Sequence, residues 1–201
     1  MSKSYDELEF TDNFMFVKVL DCNPDLCREI LELVLPFKIG HFEVIGYEST
    51  RQSMYESKGI RFDIYAKDEA QTHYDVEMQA DPDPDIAKRS RYYHSMMDME
   101  LLQKGKRYSE LKKSIVVFIC KEKIADEYTR PVYTFLYQSQ EDPAVYLNDE
   151  TWTVFVNLNV LPKPALSPRR PAGWAFPSQH SPRACTASRT ASASSFSDGR
   201  A

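Results

Sequence analysis

Between Gly59 and Gln79 the chain reads GIRFDIYAKDEAQTHYDVEMQ, two short runs of alternating character joined by a polar turn. Ile60, Phe62 and Ile64 alternate with Arg61, Asp63 and Tyr65; beyond the turn, Tyr74, Val76 and Met78 alternate with Asp75, Glu77 and Gln79. A period of two places one set on each face of a strand, so the segment is constrained to a β-hairpin. With the turn at Asp68–Thr72 centred on Ala70, antiparallel pairing sets Asp63 directly opposite Glu77 and Arg61 opposite Gln79. Like charges facing each other across a ladder repel unless something cationic lies between them. The pairing therefore predicts a divalent-metal site at Asp63 and Glu77. The competing reading is a solvated acidic face, and a one-residue slip of register would send the two acids to opposite sides.

The elements around the hairpin follow from the same kind of pattern. DNFMFVKVL (Asp12–Leu20) has Phe16, Val19 and Leu20 at helical spacing, with Thr11 or Asp12 available as a cap. Asn23 followed by Pro24 marks a second helix start, with Leu26, Ile30, Leu33 and Val34 as its apolar stripe and Pro36 and Gly40 at its end. His41–Glu48 reads as a strand and Arg51–Ser57 as a polar connection into the hairpin. After the DPDPD turn (Asp81–Asp85), Ile86–Lys104 reads as a helix stopped by Gly105. Ser114–Cys120 (SIVVFIC) is an unbroken β-branched and aromatic run, as in a strand buried on both faces. Val132–Tyr137 and Thr153–Leu158 complete the strands.

Hydropathy and charge bound the class of protein. No apolar run approaches the ~20 residues needed to span a bilayer, so no membrane partner is expected. The charged start MSKSYDELEF lacks the apolar centre of an export signal. Cys22, Cys27, Cys120 and Cys185 form no CxxC pair and no spacing with histidine, so they read as reduced thiols of a cytoplasmic protein. At about Val160 the composition changes. Residues 160–201 carry six of the twelve prolines, six basic residues and one acid, Asp198, and no periodic apolar pattern. They are expected to be a low-complexity tail, either disordered or the product of a lost reading frame near Asn159, which would leave the domain over 1–159 incomplete at its C-terminal end. Residues 1–159 then carry 19 basic and 29 acidic side chains. So acidic a body disfavours generic polyanion binding. Between 86 and 113, however, eight basic residues (Lys88, Arg89, Arg91, Lys104, Lys106, Arg107, Lys112, Lys113) stand against three acids.

Three strands, a helix and a strand, with acids on the second and third strands, resemble the α/β restriction-endonuclease-like core (α-β-β-β-α-β), a mixed sheet flanked by helices. At the level of wording, DNFMFVKVL, KGIRFDIYAKD, HYDVEMQ and KRSRYYHSMMDMELLQKGKRYSELKKSIVVFI, in that order, resemble a bacterial family of recombination-promoting nucleases and transposases within the PD-(D/E)XK superfamily, over about residues 5–158. The resemblance implies a metal-dependent DNA endonuclease of mobile elements. Its alternative is a DNA- or protein-binding module that keeps the fold without cleaving. By the resemblance Asp63 is the first strand acid and Glu77 the second, while Gln79 stands where the wider superfamily usually has lysine. An amide can position water but brings no positive charge. The first-helix acid is Asp12, with Glu9 as runner-up; a plain helix cap explains Asp12 equally. Hard oxygen donors with no clustered His or Cys suit Mg²⁺ or Mn²⁺. Lys58, Lys88, Arg89 and Arg91 are the candidate DNA contacts, although solvated surface cations look the same in sequence. Tyr92 and Tyr93 are either base-stacking or half core, and His94 is the one histidine expected near the cleft. The oligomeric state is open, a homodimer included.

Overall fold

The computed structural model describes residues 7–51 and 60–161. The chain runs α1 (Asn13–Asp21), α2 (Pro24–Val34), β1 (Phe42–Arg51), β2 (Ile60–Asp68), β3 (His73–Gln79), α3 (Ile86–Leu101), β4 (Ser114–Cys120), β5 (Val132–Phe135) and β6 (Thr151–Asn157). The six strands form one mixed sheet in the order β1-β2-β3-β4-β6-β5. β1, β2 and β3 are antiparallel neighbours, β3, β4 and β6 run parallel, and β5 pairs antiparallel to β6. Parallel neighbours need a crossover, and α3 supplies it between β3 and β4.

Helices cover the two faces of the sheet in separate layers. On one face α1 and α2 bring Phe16, Val17, Leu20, Cys27 and Leu31 onto Ile64, Val76, Ile115, Val117 and Val154. On the other, α3 lays Ile86, Tyr93, Met96 and Met97 over Phe62, Tyr65, Val116, Phe118 and Phe155. With its neighbours on both faces covered, β4 is buried at every position, as its unbroken apolar run predicts. Each such fully buried aliphatic or aromatic side chain contributes roughly 1.5–3 kcal/mol. This is the expected restriction-endonuclease-like architecture.

Several local expectations are corrected. The polar face of the hairpin is not solvated, because α3 covers it and Asp75 and Glu77 lie inside. Strict alternation also fails on β2. Phe62 shares the α3 layer with Tyr65, their rings stacked at 5.1 Å, whereas Ile64 and Ala66 face α1 and α2. The β2–β3 ladder ends at the pair Ile64↔Val76, and the strand changes face there. α3 stops at Leu101, short of Gly105, whose positive φ of 89° belongs to the following turn. Asp12 and Asn23 stand at the cap positions, yet neither makes a side-chain cap. Asn23 instead donates back to the Val19 carbonyl and closes α1 (2.7 Å). The basic run does not stand together: Lys113 lies 3.8 Å over the Trp152 ring on the α1/α2 side, and Lys106 pairs with Glu110. Lys58 and residues 162–201 lie outside the described residues.

Candidate active site

The hairpin turn is built by its own acid. Asp68 accepts the Thr72 amide (2.9 Å) and the Tyr74 hydroxyl (2.7 Å), and Gln71 takes the positive φ that closes the loop. This sets the register Lys67↔His73, Ala66↔Tyr74, Tyr65↔Asp75, Ile64↔Val76. One step further places Asp63 across from Glu77, as the sequence predicts. There the ladder gives way to side chains. The Asp63 amide donates to Glu77 Oε1 at 2.9 Å, and the Met78 amide donates to Asp63 Oδ2 at 3.1 Å. The two acids are thus held by each other's strand, not merely juxtaposed.

A third acid joins them. Asp75 is two residues before Glu77 on the same face of β3, and it is wholly buried, against 5% exposure for Asp63 and 6% for Glu77. No N–H or hydroxyl donor reaches either of its carboxyl oxygens. Three carboxyl groups in so dry a space cannot all ionise unaided. Burial, then the Glu77 charge, pushes Asp75 well above the usual carboxylate range. Burial, then the Asp63 charge, raises Glu77 to about 7. Asp63 is also raised by burial, with the Met78 amide, the Asn13 side chain and the nearby guanidinium groups working against the rise.

One cation answers the cluster from α3. Arg89 Nη2 donates to Gln79 Oε1 at 2.5 Å and Nη1 to Asp83 Oδ2 at 2.8 Å, while its guanidinium lies 4.8 Å over the Phe118 ring. Its charge lowers the proton affinity of Asp63, Asp75 and Glu77 alike. Gln79 also donates to the Asp81 carbonyl, so both ends of the amide are used to fix the turn and the arginine. Tyr93 brings its hydroxyl to 3.5 Å from Glu77 Oε2.

A family model described as PD-(D/E)XK nuclease family transposase matches residues 14–166. The chain belongs to this family. No curated protein and no solved structure matches it. The match runs past Asn159, where the composition changes, and it includes all three acids, Gln79 and α3. A PD-(D/E)XK nuclease or transposase-like function accordingly follows from membership, and such nucleases generally use divalent metals and act on DNA. Among the described residues, no helix is long and apolar enough to cross a membrane.

The predicted site residues divide by position. Asp63, Glu77, Gln79 and Arg89 come together. Asp12 Oδ2 accepts the Glu9 amide at 2.7 Å, and Glu9 pairs with Lys121. The side chain of α1 that acts on Asp63 is Asn13. Lys88 pairs with Asp85 on the exposed start of α3, and Arg91 is exposed further along. Tyr93 is core and Tyr92 half-buried. His94 points away from the acids, into Ser114 and Thr153. Asp75 and Asn13 are not among the candidates the sequence offers, and Tyr93, which it offers as base-stacking or half core, is core with its hydroxyl beside Glu77. Asp75 carried a signal, since it shares the polar alternation of Glu77 and Gln79; cross-strand opposition alone pairs it with Tyr65 and passes over it.

The donor set fits a hard divalent cation. Among the described residues no three His, Cys, Asp or Glu side chains are arranged closely enough to form a ready-made metal cage. The Asp75 oxygens, which accept no N–H donor, lie beside two further buried carboxyls, a set of hard oxygen donors of the type that Mg²⁺ and Mn²⁺ take.

Proposed function

We propose that the chain is a metal-dependent endonuclease that hydrolyses phosphodiester bonds in DNA, with Asp63, Asp75 and Glu77 as its acidic centre. The observation that supports this is the fully buried Asp75 carboxyl without a donor, set beside Glu77 and across the hairpin from Asp63. Burial drives this carboxyl to keep its proton against the neighbouring Glu77, a costly arrangement seldom kept for stability alone.

Asp63, Glu77 and Asp75 would hold the ion, which when bound polarises a phosphate oxygen and acidifies water. The chain's own groups then act around it. Glu77 would accept a proton from water at Oε2, since Oε1 is occupied by the Asp63 amide. Arg89 supplies the positive charge that the neutral Gln79 cannot. Gln79 fixes that guanidinium beside the acids, where it opposes charge developing on the phosphate. Asn13 orients Asp63 from α1. Lys88 and Arg91, on the exposed side of α3, and Lys58 contact flanking phosphates in this reading.

The test is nicking of supercoiled plasmid in Mg²⁺ or Mn²⁺ by the full chain, Asp63→Ala and Glu77→Ala. Cleavage by the parent alone is expected. Equal activity in all three proteins, or none in any of them, overturns the assignment. Metal binding without cleavage would instead point to a DNA- or protein-binding module on the same fold.

A further inference from the structure

On the same face of the sheet, across α3 from the acids, a cavity of about 250 Å³ opens between α3 and the β5–β6 edge. We propose that it receives one unpaired, unstacked nucleobase of the DNA substrate. The inference rests on the DNA-cleaving reading above and deepens it.

The walls argue for a flat heterocycle. Tyr128, Phe135, Tyr137 and Phe155 contribute four aromatic side chains to one small space. Bases stack on such rings whatever their sequence. The volume lies below the ~300 Å³ at which drug-sized pockets begin, which suits a single ring system better than a larger ligand. The floor is polar and organised. His94 Nδ1 bonds Ser114 Oγ (2.8 Å), His94 Nε2 meets Thr153 Oγ1 (3.2 Å), and Thr153 Oγ1 meets Ser90 Oγ (2.6 Å). Ser90, His94 and Thr153 all line the cavity. Burial holds the imidazole neutral, its pKa lowered to about 4. Both imidazole nitrogens are used within this chain, and the Ser90 and Thr153 hydroxyl oxygens keep a lone pair that can accept from the edge of a base.

The position ties the cavity to the acidic centre. Asp75 pairs with Val116 and Val116 with Thr153, so the two sites are two strand spacings apart, roughly 10 Å. Between them lie the first turns of α3, with Arg89 facing the acids, Ala87 and Arg91 facing the cavity, and Lys88 exposed. Arg91 is exposed and in no ion pair among the described residues, so it is available to a phosphate. A strand crossing this helix would present a phosphate on one side and a swung-out base on the other. Duplex DNA hides its bases in the stack. The pocket therefore favours substrates with a bulged, frayed or single-stranded nucleotide near the cut.

Fluorescein-labelled duplexes in EDTA, followed by anisotropy, separate binding from cleavage. The probes are a duplex with one bulged thymidine, the same duplex with an abasic residue at the bulge, and the fully paired duplex. The bulged thymidine is expected to bind about tenfold or more tighter than its abasic counterpart. Tyr137→Ala, at a residue 57% exposed, should abolish that difference and leave the abasic affinity unchanged. Phe135→Leu keeps apolar volume, removes a ring face, and serves if the first variant does not fold. Equal affinity for bulged and abasic probes, or equal losses on both in the variant, overturns the pocket while leaving the nuclease reading intact. Failure to bind any of the probes overturns the pocket, and plasmid nicking in Mg²⁺ or Mn²⁺ decides the nuclease reading separately. A change of oligomeric state in Tyr137→Ala with base discrimination preserved assigns the cavity to a second copy of the chain and also overturns the proposal.

Discussion

His94 provides a test of the buried polar floor that does not depend on catalysis. In the folded chain its pKa is lowered to about 4, mainly by burial, with Asp149 pulling the other way. In the unfolded chain it titrates near its ordinary 6.5. Between those values the unfolded state binds a proton that the folded state refuses, so stability falls as the pH drops from about 6.5 toward 4 and is fully retained above 6.5. Linkage over these two pKa values gives a loss of about 2 kcal/mol between pH 7 and pH 5 from this residue alone. The raised carboxyls at Asp63, Asp75 and Glu77 oppose it, since protonating them favours the fold. They are common to a His94→Gln variant and cancel in the comparison. Urea unfolding of parent and His94→Gln at pH 7 and pH 5, without metal, should show the parent losing about 2 kcal/mol more than the variant. Glutamine keeps a donor and an acceptor for Ser114 and Thr153, so the variant is expected to fold. Identical pH dependence in the two proteins would mean that His94 is hydrated or charged in the fold, and the floor described above would be wrong.

Other substitutions probe the acidic centre. Asp75→Asn removes a buried ionisable group at constant shape; cleavage of plasmid should fall by about 100-fold or more while urea stability at pH 8 is unchanged or raised. Arg89→Met should reduce the cleavage rate by about 10²–10³, the scale for losing one preorganised charge stabiliser, and Arg89→Lys should recover part of it. If Arg89→Met cleaves normally, the division of labour between Gln79 and Arg89 is wrong. Asn13→Ala should lower the cleavage rate more than Asp12→Ala, because Asn13 is the α1 side chain that reaches Asp63; the opposite order would restore Asp12 as the first-helix acid.

Local pattern determined a large part of this protein. Alternation on either side of Ala70 predicts a register that sets Asp63 across from Glu77, and in the fold Asp68 helps hold it by capping its own loop. The unbroken run of β4 announces a strand covered on both faces because a parallel strand between two helical layers has no wet side. Asn23 shows the limit of such reading. As a cap it could serve either the helix before or the helix after, and only the packed chain shows that its amide turns back to Val19.

Tertiary structure decided what the acids are for. Alternation assigns Asp75 and Glu77 to a polar face, but period two carries no information on what lies over that face. α3 does, and by covering it converts surface acids into buried ones with raised proton affinity. The partnership of Gln79 with Arg89 spans ten residues and a turn, so no local spacing rule foretells it. The aromatic cavity draws its walls from α3, the segment before β5, the end of β5 with the residues after it, and β6. Short-range pattern fixes which residues share a strand face. Desolvation, charge compensation and cavities arise only where distant elements close over that face.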